Sequence, residues 1–192
     1  MPVPMIFDME RERKYNYNME NSNIMEILKF GDEVLKQEGN SIKNIDANII
    51  NLIETMKLTM YGTANAIGLA APQVGESLQL SVFDISMGKE KEELNILINP
   101  VIAEAEGEES DVEGCLSFPG ISIDIKRNTK LLLKAIDING KEYEKEYSGF
   151  MARVVQHEID HLNGILIADR VSPLKRQLMK KEIKKLKKNG EW

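Results

Sequence analysis

The nine residues QHEIDHLNG, 156 to 164, contain both histidines of the chain, His157 and His161, four positions apart. On an α-helix this spacing stacks the two imidazoles on one face, so they can converge on one metal ion. Glu158, beside the first histidine, is then placed to exchange protons with a water on that ion without being a ligand itself. This is the HExxH arrangement of two ligands and a proton carrier. The same five residues also arise on ordinary amphipathic helices, and spacing alone does not choose between the two readings. A tetrahedral catalytic site uses three protein ligands and one open position. Carboxylates are too abundant for scarcity to single one out, but there is one cysteine, Cys115, in EGCLSFPG (113 to 120). Its thiolate is a soft ligand, although a lone cysteine also serves as a small buried apolar group. The third stretch, AIGLAAPQVG (66 to 75), is small and apolar apart from Gln73. That amide offers two donors to a developing oxyanion, or simply closes a tight packing loop.

Several elements must position these residues. Asn44 is read as the cap of a helix with Ile45, Ile49, Leu52, Ile53, Met56 and Met60 on its buried face, ending near Gly62. LQLSVFDI (78 to 85) and NILIN (95 to 99) read as strands, the second punctuated by Pro100. In KLLLKAIDINGKEYEKEYS, Asn139 and Gly140 between two strand-like runs predict a hairpin with a type I′ turn. Helical spacing returns after Gly149 through Phe150, Val154, Val155, His157, Glu158 and His161. A last helix, 173 to 188, starts at Pro173 with Leu174, Leu178, Ile183 and Leu186 along its apolar edge. Helix, then sheet, then helix predicts an α+β class.

Apolar residues make up 42% of the 192, enough for the core of one domain. A single cysteine excludes an internal disulfide and predicts a reducing, cytoplasmic compartment. No run approaches the roughly 18 to 20 apolar residues of a membrane helix. Residues 1 to 23 read as a polar extension ahead of one domain, 24 to 192. Their apolar patch precedes mixed charge, the wrong order for a secretory signal, and Asp8, Glu10, Glu12 and Glu20 do not suit an organellar presequence. The net charge of −6 conceals an asymmetry: from Leu174 to Lys188 eight basic residues face Glu182 alone, so that segment carries +7 and the remainder −13.

Taken together, GLAAPQ, EGCLS and QHEIDH, in this order and at these separations, resemble the signature set of the peptide deformylases. The resemblance runs from ILKFGDEVL (27 to 35) through RVSPLK (170 to 175). It implies antiparallel sheets around a central helix that carries HEIDH, plus a C-terminal helix. It implies a metal-dependent hydrolase that removes the N-formyl group from the initiator methionine of new polypeptides and releases formate. Cys115, His157 and His161 would hold Fe2+, with Ni2+, Co2+ or Zn2+ as substitutes. Glu158 would move the proton, and Gln73 with the Leu116 N–H would receive the oxyanion charge. Ile67, Gly68 and Gly114 would line the bound peptide, and Ile67, Phe150 and Val154 an apolar pocket for the methionine side chain. Glu113 and Arg127 match positions that pair as support. The partners implied are N-formyl-Met nascent peptides and, through the basic C-terminal helix, the ribosome; neither a membrane nor DNA is expected. The chain departs from the family pattern at Ala66, where Gly is usual, and at Asn128, where many relatives have Pro. Two rival functions share some of these features. A zinc peptidase would also use HExxH, but such enzymes take a third ligand downstream, where no third His exists. A metal-holding or nascent-chain-binding protein would not need every catalytic position filled, as it is here.

Overall fold

In the computed structural model, which describes residues 24–89 and 94–192, the first helix, α1 (Ala47–Gly62), opens on Asp46 rather than Asn44. The Asp46 carboxylate accepts from the N–H groups of Asn48 (2.9 Å) and Ile49 (3.0 Å), two donors the helix cannot satisfy itself. Asn44 lies outside the helix, too far upstream to reach them. The expected apolar face is the one that packs: Ile53, Met56 and Met60 are buried, with Ile45, Ile49 and Leu52 flanking them. Burial of each of the three is worth roughly 1.5–3 kcal/mol. The polar extension read at 1–23 lies outside the described residues.

Among the described residues seven strands follow: β1 (Gly68–Ala70), β2 (Leu80–Phe83), β3 (Asn95–Glu106), β4 (Glu109–Gly114), β5 (Ser122–Arg127), β6 (Lys130–Ile136) and β7 (Glu142–Ser148). All pairings between these strands are antiparallel, giving a five-stranded sheet in the order β1-β2-β3-β6-β7 and a separate β4-β5 ribbon. The second strand read from sequence does not stop at Pro100. β3 runs on to Glu106 because Pro100 falls in the register shift between Ile98 and Val101, where the ladder is already interrupted and no proline N–H is missed. Asn99 holds this irregularity at φ 50°, exchanging two 2.8 Å bonds with the Ile42 backbone. The hairpin between β6 and β7 is also present, with a different turn. Gly140 N–H donates to Asp137 O (3.0 Å), and only Gly140 has positive φ (80°). The connection is therefore a three-residue loop closed by a left-handed glycine, not the two-residue turn with two left-handed positions.

Among the described residues two further α-helices give the α+β class: α2 (Gly149–Leu162), which packs on β1, β2 and β7, and α3 (Pro173–Asn189). The Ser172 hydroxyl caps α3 by accepting from Lys175 N–H, and Gly190 closes it at φ 73°. Its buried edge is Met179 and Ile183, with Leu186 partly buried; Leu174 and Leu178, read as part of that edge, are 67% and 55% exposed. The turn that carries Phe118 and Ile121 meets the later part of the helix and leaves the first two leucines facing solvent. Among the described residues no helix is long and apolar enough to cross a membrane.

Three buried clusters result, one under α1, one between α2 and the large sheet, and one beneath α3. Leu116 packs on the first, Ile67 on the second and Cys115 on the third, so the chemically interesting residues stand where the three meet.

Candidate metal centre and active-site cleft

Four-residue spacing on α2 does stack the histidines: their ring centroids are 5.0 Å apart at 74°. Cys115 arrives from the end of β4, where a turn closed by Phe118 N–H to Cys115 O (2.8 Å) directs its sulfur toward α2. Cys115 Sγ is 3.2 Å from His161 Nε2, and one ligand atom from each of Cys115, His157 and His161 lies within 4.8 Å of the others. Burial opposes ionisation of the thiol, but the imidazoles of His161 and His157 overcome it and bring Cys115 down to about 5 from an ordinary 9.0. A thiolate with two imidazoles is the donor set that suits a first-row transition ion or zinc.

Behind His157 stands a buried carboxylate. His157 Nδ1 is 3.0 Å from Glu113 Oε2, which leaves Nε2 as the ring nitrogen available on the cysteine side. Arg127 grips both oxygens of Glu113 through Nε and Nη2 (2.9 Å each), and Arg153 Nη1 adds a bond to Oε1 (2.6 Å). Burial would raise the Glu113 carboxyl, yet His157 and Arg127 hold it at about 2 against an ordinary 4.5. His157 in turn is pushed well above 6.5, since the facing Cys115 and Glu113 outweigh its desolvation.

Glu158 projects from the same turn of α2 toward β1 and β2. It is buried, with its carboxyl raised above 4.5 mainly by desolvation. Ser81 Oγ on β2 donates to it at 3.4 Å, and Gly68 on β1 leaves it room. Gln73 sits in a short 3-10 turn, Ala71–Val74, that follows β1. Its Oε1 accepts from Ala70 N–H (2.9 Å), which turns the amide donors outward, 3.3 Å from Ser117 Oγ and 3.8 Å from Cys115 Sγ. The Leu116 N–H carries no backbone hydrogen bond among the described residues. An amide donor, a backbone donor and a buried carboxyl thus surround the thiolate and the histidines, a set able to activate water and stabilise an oxyanion.

These groups form the floor of a cleft of about 230 Å³ whose walls include Ile67, Gly68, Gly114, Phe150 and Val154. All five residues read as substrate contacts therefore face one space, as do Gln73, Cys115, Leu116, His157 and Glu158. His161 lies deeper, beneath the floor. The cleft runs between β1, an edge strand of the large sheet, and β4, and Phe150 on its rim is 55% exposed. The Ile67 carbonyl is already engaged by Asp84 N–H (2.8 Å).

Sequence reading passed over Val112, which also lines the cleft, and over Ser81, Ser117, Arg153 and Asp160. A usable signal existed for Arg153: it precedes His157 by four residues, on the same helical face. The two serines sit among apolar residues and announce nothing on their own.

Residues 24–177 match the family model described as polypeptide deformylase. The chain is 50% identical over 161 residues to the peptide deformylase of Thermodesulfovibrio yellowstonii, covering 84% of this chain and 97% of that one. It is 47% identical over 147 residues to that of Dictyoglomus turgidum, covering 77% and 92%. Among solved structures, the peptide deformylase of Legionella pneumophila superposes with a TM-score of 0.81 at 41% identity, covering 88% of this chain and 98% of that one. That of Thermotoga maritima gives 0.73 at 42% identity, covering 79% and 99%.

Proposed function

The chain belongs to the peptide deformylase family, whose members are metal-dependent hydrolases, and we propose that it removes the N-formyl group from the N-terminal methionine of new polypeptides at the Cys115, His157 and His161 centre. The observation that carries this reading is the convergence of those three ligand atoms within 4.8 Å at the floor of a cleft that also contains Glu158 and Gln73. A divalent ion held there would act as a Lewis acid, making a water nucleophilic near neutral pH and polarising the formyl oxygen. Glu158 takes the proton of the attacking water, for which its raised pKa in a buried site suits it. As negative charge develops on the formyl oxygen, Gln73 Nε2 and the Leu116 N–H donate to it. Glu158 then passes its proton to the departing nitrogen as the C–N bond breaks, leaving formate and a free methionine amine.

The peptide lies extended between β1 and β4, bounded by Ile67, Gly68 and Gly114, like a strand added between two edges. Its methionine side chain enters the apolar wall made by Ile67, Phe150 and Val154. We assign Fe2+ as the resident ion, with Ni2+, Co2+ or Zn2+ as substitutes that the same sulfur and nitrogen donors accept. The folded catalytic domain is 24–192, and the unpaired, half-buried Cys115 favours a reducing cytoplasm. Contact with the ribosome runs through α3, whose Lys and Arg residues and exposed Leu174 and Leu178 form an outward face.

Formate release from formyl-Met-Ala-Ser by protein purified anaerobically and loaded with iron or nickel tests the reaction; a fully loaded protein without turnover refutes it. Metal analysis of anaerobic preparations tests the iron assignment. Removing residues 174 to 192 and following ribosome co-sedimentation across salt tests the contact, and unchanged binding would reject it.

A further inference from the structure

Glu113, the partner of His157, belongs to a longer chain of buried charge that ends outside the cleft. Arg127 serves two carboxylates at once. Its Nε and Nη2 face Glu113, while Nη1 donates to Asp160 Oδ2 at 2.5 Å. The other side of Asp160 is occupied by Arg170, whose Nε donates to Oδ2 (2.9 Å) and whose Nη2 donates to Oδ1. Arg170 follows the 3-10 turn Ile167–Asp169 and precedes Ser172, the cap of α3, and its side chain is 42% exposed.

We propose that Arg170 is a positioning residue for the proposed metal ligand His157, acting by satisfying Asp160 so that the Arg127 fork stays on Glu113. This rests on the metal-centre reading above.

The geometry makes the dependence specific. Arg153 holds only Oε1 of Glu113, whereas Oε2, the oxygen facing His157 Nδ1, is held by Arg127 Nη2. Without Arg170, Asp160 has a single guanidinium nitrogen, Arg127 Nη1, for both of its oxygens in a buried site. An unsatisfied buried carboxylate is costly, so the planar Arg127 fork turns to give Asp160 a second donor. The nitrogen that shares the guanidinium carbon with Nη1 and would follow this turn is Nη2, and moving it loosens the oxygen that fixes the His157 ring. Partners that orient a ligating histidine typically change metal affinity by about 10- to 100-fold when lost.

The test compares the parent with Arg170→Ala, Asp160→Asn, the double variant, and Arg176→Ala as a control. Arg176 bridges Asp169 (3.2 Å) and donates to Ala168 O (2.6 Å), so it supports the same turn as Arg170 without bonding to Asp160, Arg127 or Glu113. Each protein is loaded with Ni2+, and the rate of Ni2+ transfer to excess EDTA is read beside the thermal midpoint of the metal-free form. Arg170→Ala is expected to release Ni2+ about 10-fold faster or more, with Arg176→Ala close to the parent. Asp160→Asn removes the competitor for Arg127, so the double variant is expected to regain the parent's slow release even though it lacks both charges. A merely structural loss would make the double variant worse. If Arg170→Ala releases Ni2+ no faster than Arg176→Ala, or the double variant is no slower than Arg170→Ala, the inference is overturned while the metal reading stands. A parent that retains no Ni2+ overturns both.

Discussion

Gly68 faces Glu158 so closely that a Cβ at position 68 would stand 2.2 Å from Glu158 Oε1 and 2.8 Å from its Cδ. Glu158 is buried and lines the cleft, so a methyl at position 68 would displace its carboxyl from where the glycine now lets it sit. Gly68→Ala is therefore expected to act on the reaction. Displacing the proton carrier should lower kcat on formyl-Met-Ala-Ser by at least about 10²-fold, the smaller end of what positioned acid–base groups contribute. Ni2+ content should remain at the parent's level, because the three atoms nearest the new methyl all belong to Glu158, which is not a proposed ligand. Stopped-assay kinetics with metal analysis on the same sample would check this, and parent-like kcat would refute the placement.

Glu158→Gln keeps the shape and removes the proton acceptor. Turnover is expected to fall about 10²- to 10⁴-fold with metal retained, whereas Cys115→Ser should lose metal first and activity as a consequence. The contrast is read by measuring nickel per chain and formate release in parallel. Equal metal loss in both variants would mean that Glu158 supports the ligands rather than the chemistry.

Phe150 stands on the rim of the cleft, more than half exposed, so the fold does not depend on it. Phe150→Ala should leave the thermal midpoint nearly unchanged. By removing apolar wall from the side-chain pocket it should raise KM for formyl-Met-Ala-Ser by about 10-fold, within the roughly 1–3 kcal/mol that such pocket contacts are worth. An unchanged KM would move the methionine side chain elsewhere.

Behind the cleft wall, where its N–H engages the Ile67 carbonyl, Asp84 is a buried carboxylate that accepts from the Tyr61 hydroxyl (2.7 Å), the Ser86 hydroxyl (2.7 Å) and the N–H groups of Ser86 (2.8 Å) and Gly88 (2.9 Å). Burial pushes its pKa up, but these donors outweigh that and leave it below the ordinary 3.8. A depressed folded pKa contributes stability above the unfolded value, and that contribution is lost as pH falls toward the folded one. Near pH 6 the parent should exceed Asp84→Asn in unfolding free energy by about 1–3 kcal/mol. By about pH 3 the gap should shrink. Urea unfolding at both pH values reads the difference directly, and a constant gap would show that the ionised form is not the one stabilised.

Much of this protein was legible along the chain because the signals are local. The i, i+4 stacking of His157 and His161, the buried face of α1, the strand segments within 78–85 and 95–99, the Asn139–Gly140 loop and the start of α3 all follow from periodicity and composition and from what Pro, Gly and Ser permit over a few residues. Local rules also explain the near misses. Asn44 and Asp46 are both competent cap types, and it is Asp46 whose carboxylate meets the first free N–H groups of α1. Pro100 ends a strand unless a register shift happens to receive it. Leu174 and Leu178 have the spacing of a buried edge, but only the fold decides which arc of a helix meets a neighbour. The sequence by itself determined the reagents: one thiol, two imidazoles, a carboxylate beside one of them and an amide in a tight loop. Tertiary structure alone decided their arrangement. Cys115 meets His161 across 46 residues, and Glu113, Arg127, Asp160 and Arg170 come from a strand, a second strand, a helix and a turn. Contacts between distant segments are set by how whole elements pack and by the need to pair every buried charge, and neither is written in the spacing of neighbouring residues.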